Sequence, residues 1–190
     1  MIDPVLLLTA YARGIFPMAE TARDKDVFWV EPKNRGVLPL DGFHCSHSLA
    51  RLIRKGVFTV SFDTDFKGVM EACADRSETW INREIVDSYF FLFEHGYAHS
   101  VECRDEEGLQ GGLYGVSLGG AFFGESMFHR KTNASKVALA ALVDRLIAKG
   151  FVLLDTQFLT PHLASLGGIE MPQKKYLNLL RQALTVKATF

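Results

Sequence analysis

The feature that most constrains the fold is a strand, a long amphipathic helix and a second strand that follow one another in the second half of the chain. Alternation predicts an antiparallel strand over Ala121–Phe128, which ends in a basic turn. Asn133 then caps a helix that runs to Lys149. Gly150 ends that helix, and Phe151–Gln157 predicts a buried strand.

Shorter patterns complete a mixed α/β sequence. Capping residues and glycine stops predict helices over Pro4–Arg13, Ser46–Lys55, Asp63–Arg76, Arg83–Glu94, Pro161–Leu166 and Gln173–Leu184. Apolar runs between turns predict strands over Val27–Val30, Gly36–Leu40, Val57–Phe62, Ser100–Arg104 and Leu109–Ser117. The order is that of a GNAT-type acyltransferase core. We therefore predict an α/β (α+β) fold, in which a small N-terminal α/β segment (residues 1–43) packs on a GNAT-like catalytic domain (residues 44–190).

Composition limits the class of protein. A chain of 190 residues with 48% hydrophobic residues supports one globular unit with a large core. No run of about 18 apolar residues predicts a membrane span, and the first residues lack the basic start of a signal peptide. We expect a cytoplasmic monomer that does not bind membranes. The net charge of −1 argues against a protein coated in basic charge, but it permits a local basic patch.

The cysteines and histidines predict neither disulfides nor a metal site. Cys45, Cys73 and Cys103 are scattered, and their odd number does not suit a disulfide framework. His44 and His47 flank Cys45 and could suggest a metal, but nothing elsewhere completes a ligand set with the usual spacing.

Asp155 and Gln157 are the first candidates for a functional site. Residues two apart in a strand point to the same face, so a carboxylate and an amide lie side by side in an otherwise apolar strand. Burying both costs free energy unless they are paired or used. The pair could hold an attacking amine, or it could be a buried hydrogen-bonded pair that serves only the backbone.

Glu125 is a second carboxylate in an apolar strand. Alternation predicts that it shares a face with Phe123 and Met127, whereas Phe122 points the other way. A carboxylate in this position needs a partner. It could bind a cationic substrate, or it could pair with an internal arginine or lysine.

The basic turn after this strand is suited to an anion. Arg130, Lys131 and Lys136 surround the predicted start of a helix, and the turn lacks the glycines that let a backbone approach a CoA pyrophosphate. We expect a nucleic-acid phosphate there, with help from Lys174 and Lys175. The alternative is a solvated basic turn.

Apolar and aromatic residues could build a pocket. Trp80 could stack on a base or could pack between elements. One face of the long helix carries Leu139, Leu142, Val143 and Leu146. With Leu113, Met127 and Leu154 this face could wall an apolar pocket, or it could be core alone.

Nine stretches together resemble a known family. They are AYARGIFPM, TWINREIVDSY, LFEHGYAHSVE, GGLYGV, FFGESMF, TNASKVAL, LLDTQ, HLASLGG and YLNLL, in order from about Ala10 to Leu180. The chain resembles the bacterial leucyl/phenylalanyl-tRNA–protein transferases. The resemblance implies transfer of leucine, phenylalanine or sometimes methionine from aminoacyl-tRNA to the N-terminal amine of proteins that begin with Arg or Lys, which marks them for the N-degron pathway. It implies no cofactor, because the tRNA ester is already activated.

The resemblance also implies roles for individual residues. Asp155 and Gln157 would orient and activate the acceptor amine, Glu125 would lie close to the reacting groups, and Trp80 would lie near the tRNA 3′ end. Met18 stands where the family usually has a tryptophan, which implies less stacking area on the terminal adenosine.

The implied socket for the transferred side chain lies on the GGLYGV and FFGESMF strands. Its candidates are Leu113, Met127 and Phe122, and the apolar pattern adds Leu154. An unbranched or γ-branched apolar side chain would fit, whereas the cost of desolvation would exclude charged ones.

Two other functions remain open from the sequence. The first is an acetyl-CoA-dependent N-acetyltransferase, against which the glycine-free turn argues. The second is a catalytically silent tRNA- or degron-binding module, against which the three polar residues Glu125, Asp155 and Gln157 argue.

Overall fold

The molecule is built from two sheets and the helices around them. In this computed structural model, which describes residues 1–24, 26–76 and 79–190, the helices are α1 (Pro4–Ala12), α2 (His47–Arg54), α3 (Phe66–Ala74), α4 (Arg83–Glu94), α5 (Ala134–Ala148), α6 (Pro161–Ser165) and α7 (Gln173–Leu184). The strands are β1 (Phe16–Met18), β2 (Phe28–Val30), β3 (Asn34–Val37), β4 (Thr59–Phe62), β5 (Ala98–Asp105), β6 (Gly108–Leu118), β7 (Ala121–His129), β8 (Leu153–Gln157) and β9 (Ile169–Pro172).

A mixed seven-stranded sheet forms the centre, in the order β4-β5-β6-β7-β8-β3-β9. Its pairs are antiparallel except β7 and β8, which are parallel and are joined by the crossover helix α5. β1 and β2 form a separate antiparallel ribbon. The α/β class and the expected GNAT-like order are therefore confirmed.

Two apolar cores cover the two faces of the sheet. One contains side chains of α1, α3, α4 and α7, including the buried Tyr11, Tyr89 and Phe123. The other contains side chains of α2 and α5, including Phe122 and Leu139. Because both faces are covered, the central strands β5, β6 and β8 are buried along most of their length.

The N-terminal segment contributes directly to the large sheet. β3 lies between β8 and β9 and is antiparallel to both. A Cβ on Gly36 would lie 2.7 Å from the backbone carbon of Phe158, so only glycine lets β3 approach the end of β8 this closely. The division after residue 43 stays a prediction.

Most predicted helix starts agree with the structure. The side chains of Asp3, Ser46 and Asn82 accept the capping bonds of α1, α2 and α4. The α3 helix begins later than predicted, because Asp65 rather than Asp63 caps it. Asn133 precedes α5 in the left-handed region (φ 69°), and its side chain makes no capping bond.

Two strands are absent from the sequence prediction, namely β1 and β9. Each is four residues or shorter, and its pairing depends on strands that are distant in the chain. Within the described ranges, no helix combines the length and the apolar character needed to cross a membrane.

Candidate active site

A pocket of about 270 Å³ opens where β7 and β8 stop pairing. The two strands pair only over Ala121–Phe123 and Leu153–Asp155. The residues that follow, Gly124–Met127 and Thr156–Phe158, line the pocket. The separation of two neighbouring strands thus creates a cleft at the centre of the sheet.

A β-bulge in β7 determines what enters this cleft. Tyr114 pairs with Ser126 and Gly115 pairs with Gly124, so Glu125 has no partner in β6. An extra residue reverses the alternation beyond it. Glu125 therefore faces the helices α1 and α4 with Phe123, whereas Met127 packs on the opposite face with Phe122. The prediction that Glu125 and Met127 share a face is wrong for this reason.

Three hydrogen bonds hold the Glu125 carboxylate at the inner end of the pocket. Its Oε1 accepts from the Tyr11 hydroxyl (2.6 Å) and from the Gln157 amide (2.8 Å). Among the described residues, Oε2 accepts a single long bond of 3.3 Å, from Tyr89. The two tyrosine hydroxyls also lie within hydrogen-bond distance of each other, and because Tyr11 donates its proton to Oε1, the single proton of Tyr89 is shared between the Tyr11 oxygen and Oε2. Oε2 is therefore the oxygen with capacity for a substrate proton.

Burial makes Glu125 a weak acid. Desolvation raises the pKa of its carboxyl to about 7, although the bonds from Tyr11 and Gln157 act in the opposite direction. A carboxyl with this pKa exchanges a proton readily near neutral pH, which suits a general base. The predicted alternative of an arginine or lysine partner does not apply within the described chain, where two tyrosines and a glutamine bind Glu125.

Asp155 lies behind the pocket and not in its lining. It is fully buried, and Arg35 donates to both of its oxygens through Nε (2.9 Å to Oδ1) and Nη2 (2.7 Å to Oδ2). Tyr176 donates to Oδ2 at 2.5 Å. The internal ion pair that the sequence suggested for Glu125 therefore belongs to Asp155. An amine in the pocket cannot reach its carboxylate, so Asp155 can only position other groups.

Gln157 is held in an unusual backbone conformation. Its φ is 64°, in the left-handed region, and its N–H donates to Asp155 Oδ1 at 2.7 Å. This bond turns the side chain toward Glu125, to which the amide donates. Asp155 and Gln157 are thus linked through the backbone, whereas the sequence predicted two side chains side by side.

The apolar wall contains most of the predicted socket. Leu113, Met127 and Leu154 line the pocket together with Leu139 and Leu142 of α5 and with Leu163 of α6. Phe122 does not line it. Its buried ring packs instead on Phe151 and Phe190, so it belongs to the core behind the socket.

The rim carries aromatic, thioether and basic groups. Met18 and Trp80 line the pocket, as does the exposed Arg76. His162 lines it from α6. Burial lowers the pKa of the His162 imidazole, and the neighbouring Lys136 and His129 act in the same direction.

The structure does not bring the three predicted tRNA-binding cations together. Lys131 binds Asp105 (2.5 Å) and Glu107 (3.0 Å) away from the pocket. Arg130 lies over the Phe128 ring and donates to the Leu109 carbonyl. Of the three, Lys136 is the one whose charge acts on the pKa of a pocket residue, His162. The turn geometry separates side chains that are adjacent in the sequence.

Several site residues escaped the sequence analysis, namely Tyr11, Arg35, Arg76, Tyr89, His162 and Tyr176. The sequence does point to two of them, because Tyr11 and Tyr89 carry hydroxyl groups within apolar helical stretches.

The cysteines are free thiols. Cys73 and Cys103 are buried, and Cys45 is exposed. Across the described ranges, no three His, Cys, Asp or Glu side chains converge on a possible metal position.

Family models match nearly the whole chain. The model described as leucyl/phenylalanyl-tRNA protein transferase matches residues 37–181, and the model for the N-terminal domain of that transferase matches residues 1–33. The first match contains the pocket strands, and the second contains α1 with Tyr11.

Curated relatives agree with the family models. Leucyl/phenylalanyl-tRNA–protein transferases from Cereibacter sphaeroides (strain ATCC 17025 / ATH 2.4.3) and Ruegeria pomeroyi are each 59% identical over 189 residues, with 100% of this chain and 88% and 90% of the relatives covered. That of Ruegeria sp. (strain TM1040) is 58% identical over 185 residues, with 97% of this chain and 88% of the relative covered. The chain belongs to the leucyl/phenylalanyl-tRNA–protein transferase family, and it is an aminoacyltransferase.

Solved structures show a more distant similarity. L-PGS from Bacillus licheniformis aligns with a TM-score of 0.45 at 13% identity over 82% of this chain and 52% of that chain. A GCN5-related N-acetyltransferase-like protein from Streptococcus suis aligns with a TM-score of 0.41 at 15% identity over 87% of this chain and 65% of that chain.

Proposed function

We propose that this protein transfers leucine or phenylalanine, and also methionine, from aminoacyl-tRNA to the N-terminal amine of proteins that begin with Arg or Lys, and so marks them for the N-degron pathway. The observation that carries the proposal is a buried carboxyl, Glu125, at the inner end of a pocket with apolar walls. The walls suit the transferred side chain, and the carboxyl suits the attacking amine. We also propose that the protein acts as a cytoplasmic monomer.

The apolar wall supports the choice of donor. Leu113, Met127 and Leu154 give a transferred leucine, phenylalanine or methionine an environment free of water. A charged side chain would lose its hydration there without gaining a partner. Glu125 is the acidic side chain among the described residues that line the pocket, and its ionised form favours the approach of a cationic N-terminal amine.

Glu125 acts as the general base in the proposed mechanism. An N-terminal amine has a pKa of about 8, close to that of the Glu125 carboxyl, so Oε2 can take a proton from the attacking amine. The amine nitrogen forms a bond to the ester carbonyl carbon, and the bond from that carbon to the ribose oxygen breaks. The proton passes from Glu125 to the departing ribose oxygen. A peptide bond and free tRNA result.

Gln157 and Asp155 position the base. The Gln157 amide fixes Oε1, which leaves Oε2 for the amine. Asp155 holds the Gln157 backbone through Oδ1 while Arg35 and Tyr176 hold Asp155. Holding reacting groups in place supplies much of the rate in such a reaction, because the ester is already activated.

The test uses purified protein, Leu-tRNA or Phe-tRNA, and peptides that differ only in a first residue of Arg, Lys, Asp or Ala. Mass spectrometry measures the addition of one residue. We expect addition to the Arg and Lys peptides only, and a loss of about 10²-fold or more in the Glu125→Gln variant. Addition to the Asp peptide would contradict the proposed acceptors. tRNA binding without any addition would favour a silent binding module.

A further inference from the structure

Arg76 is a positively charged residue at the rim of the pocket, and the proposed mechanism gives it no role. Its guanidinium is fixed from one side, because Nε donates to the Cys73 carbonyl at 2.8 Å and Nη2 donates to the Ser126 hydroxyl at 2.8 Å. Nη2 also makes a long bond of 3.4 Å to the Met127 carbonyl. Nη1 has no bond to another described residue, and the side chain is exposed at the pocket.

The fixed orientation separates Arg76 from an ordinary surface arginine. Within the described ranges, no carboxylate lies within ion-pair distance of its guanidinium, whereas Arg83 and Arg104 each have one. A guanidinium that is held by neutral groups keeps its full charge and its free N–H groups for an external anion.

The β-bulge sets the position of Arg76 relative to Glu125. Because Glu125 has no partner in β6, it and Ser126 both face the side of α1, α3 and α4. Ser126 binds Arg76 and is the immediate neighbour of Glu125. An anion on Nη1 is therefore placed at a fixed offset from the proposed base, on the rim that also carries Trp80.

We propose that Arg76 binds the phosphodiester that joins the last two nucleotides of the donor, an assignment that rests on the proposed function. Trp80 offers a face to the terminal base, and Arg76 offers N–H groups to the phosphate on the 5′ side of the same nucleotide. This contact sets the distance between the ester carbon and Glu125. The basic turn of residues 129–136 is not needed for it.

Two donors that differ by the phosphodiester test the assignment. One is leucyl-adenosine, which has no phosphate, and the other is the leucylated dinucleotide CpA. For Arg76→Ala we expect kcat/KM to fall about 10- to 100-fold with the dinucleotide and with Leu-tRNA, and to stay unchanged with leucyl-adenosine. Arg76→Lys should restore part of the loss. Arg83→Ala, which removes an arginine that is 92% exposed on α4, is the control for charge.

Each outcome separates this assignment from the proposed function. Equal losses with both donors would mean that Arg76 supports β7 through Ser126, and would overturn the assignment. Unchanged activity with all donors would overturn it as well. No transfer by the wild type from any donor would contradict the proposed function itself.

A binding measurement that needs no turnover gives an independent result. The logarithm of the affinity for uncharged tRNA falls linearly with the logarithm of salt concentration, with a slope set by the number of phosphates contacted. Arg76→Ala should reduce that slope by about one. An unaltered slope and affinity would overturn the assignment.

Discussion

Arg35 and Asp155 lie 120 positions apart in the chain and form a buried ion pair in which the arginine donates to both carboxylate oxygens. Arg35 is also enclosed between the rings of Phe16 and Tyr176, each with its centroid 4.7 Å from the guanidinium carbon. The pair joins β3 to β8 directly beneath Gln157. It is therefore both a structural connection and the support of the proposed catalytic group.

Asp155→Ala should destabilise the protein as well as inactivate it. The substitution leaves the Arg35 guanidinium buried without a counter-charge, so we expect the free energy of unfolding to fall by about 3–5 kcal/mol. Urea denaturation measures this change. Glu71→Ala, which breaks an exposed pair with Lys67, should change the free energy of unfolding by less than about 1 kcal/mol. A fully stable Asp155→Ala protein would contradict this account of the pair.

The pH dependence of transfer should report the Glu125 carboxyl. The base form is needed, and burial raises its pKa to about 7, so kcat/KM should rise as pH increases through 7. The acceptor amine titrates near pH 8 and contributes a rise of its own. The residual activity of Glu125→Gln gives that second contribution alone. Identical profiles for the two proteins would argue against Glu125 as the base.

The Glu125 carboxyl should make the free energy of unfolding fall as pH rises, whereas it makes kcat/KM rise. Between the ordinary value of 4.5 and about 7, the folded state keeps a proton on Glu125 that the unfolded state has released. The contribution of Glu125 to the free energy of unfolding therefore decreases as pH rises through this window. Denaturation at several pH values should show a smaller decrease in Glu125→Gln than in the wild type.

The backbone conformation at position 157 should favour glycine over glutamine. A residue other than glycine in the left-handed region costs about 1 kcal/mol, and φ at Gln157 is 64°. Both Gln157→Gly and Gln157→Ala remove the bond to Glu125. We expect equal losses of turnover, but a free energy of unfolding about 1 kcal/mol higher for the glycine variant. Equal stabilities in thermal denaturation would show that the conformation carries no strain.

Tyr114→Phe should stabilise the protein. Tyr114 lines the pocket, and its buried hydroxyl has no hydrogen-bond partner among the residues that the structure describes. A buried hydroxyl without a partner costs about 1–3 kcal/mol, so its removal should raise the melting temperature. Tyr97→Phe, at a side chain that is 41% exposed, should leave the melting temperature unchanged. A lower melting temperature for Tyr114→Phe would point to an ordered water on this hydroxyl.

The apolar wall should determine which donor is used. Leu113→Ala removes volume next to the transferred side chain, so kcat/KM for Leu-tRNA should fall about tenfold or more relative to Phe-tRNA. The larger phenylalanine can fill part of the space that the substitution creates. Ile147→Ala, at an exposed position of α5 away from the pocket, should leave the ratio unaltered. A constant ratio in both variants would place the socket elsewhere.

Local signals in the sequence predicted much of the secondary structure. The caps of α1, α2 and α4 and the long apolar helix α5 depend on residues within one or two turns of each other. For the same reason the α/β class could be predicted. The positions of β3 and β9 could not, because their pairing depends on strands far along the chain.

The chemistry of the site was only partly accessible from sequence. Glu125, Asp155 and Gln157 were identified as polar residues in apolar strands. Their partners were not, because Tyr11 and Arg35 come from elements more than 100 positions away. The bulge at Glu125 has no signature in a sequence of alternating residues, and it moved Met127 and Phe122 to the same face.

The place of β3 between β8 and β9 has a consequence for the newly made chain. Arg35 leaves the ribosome 120 residues before Asp155, which at about 5–20 residues per second corresponds to a delay on the order of ten seconds. During that time β3 has no neighbour and its arginine remains in water. The support of the proposed base therefore forms only after β8 has been synthesised, when β3 can pair with it and Arg35 can bind Asp155.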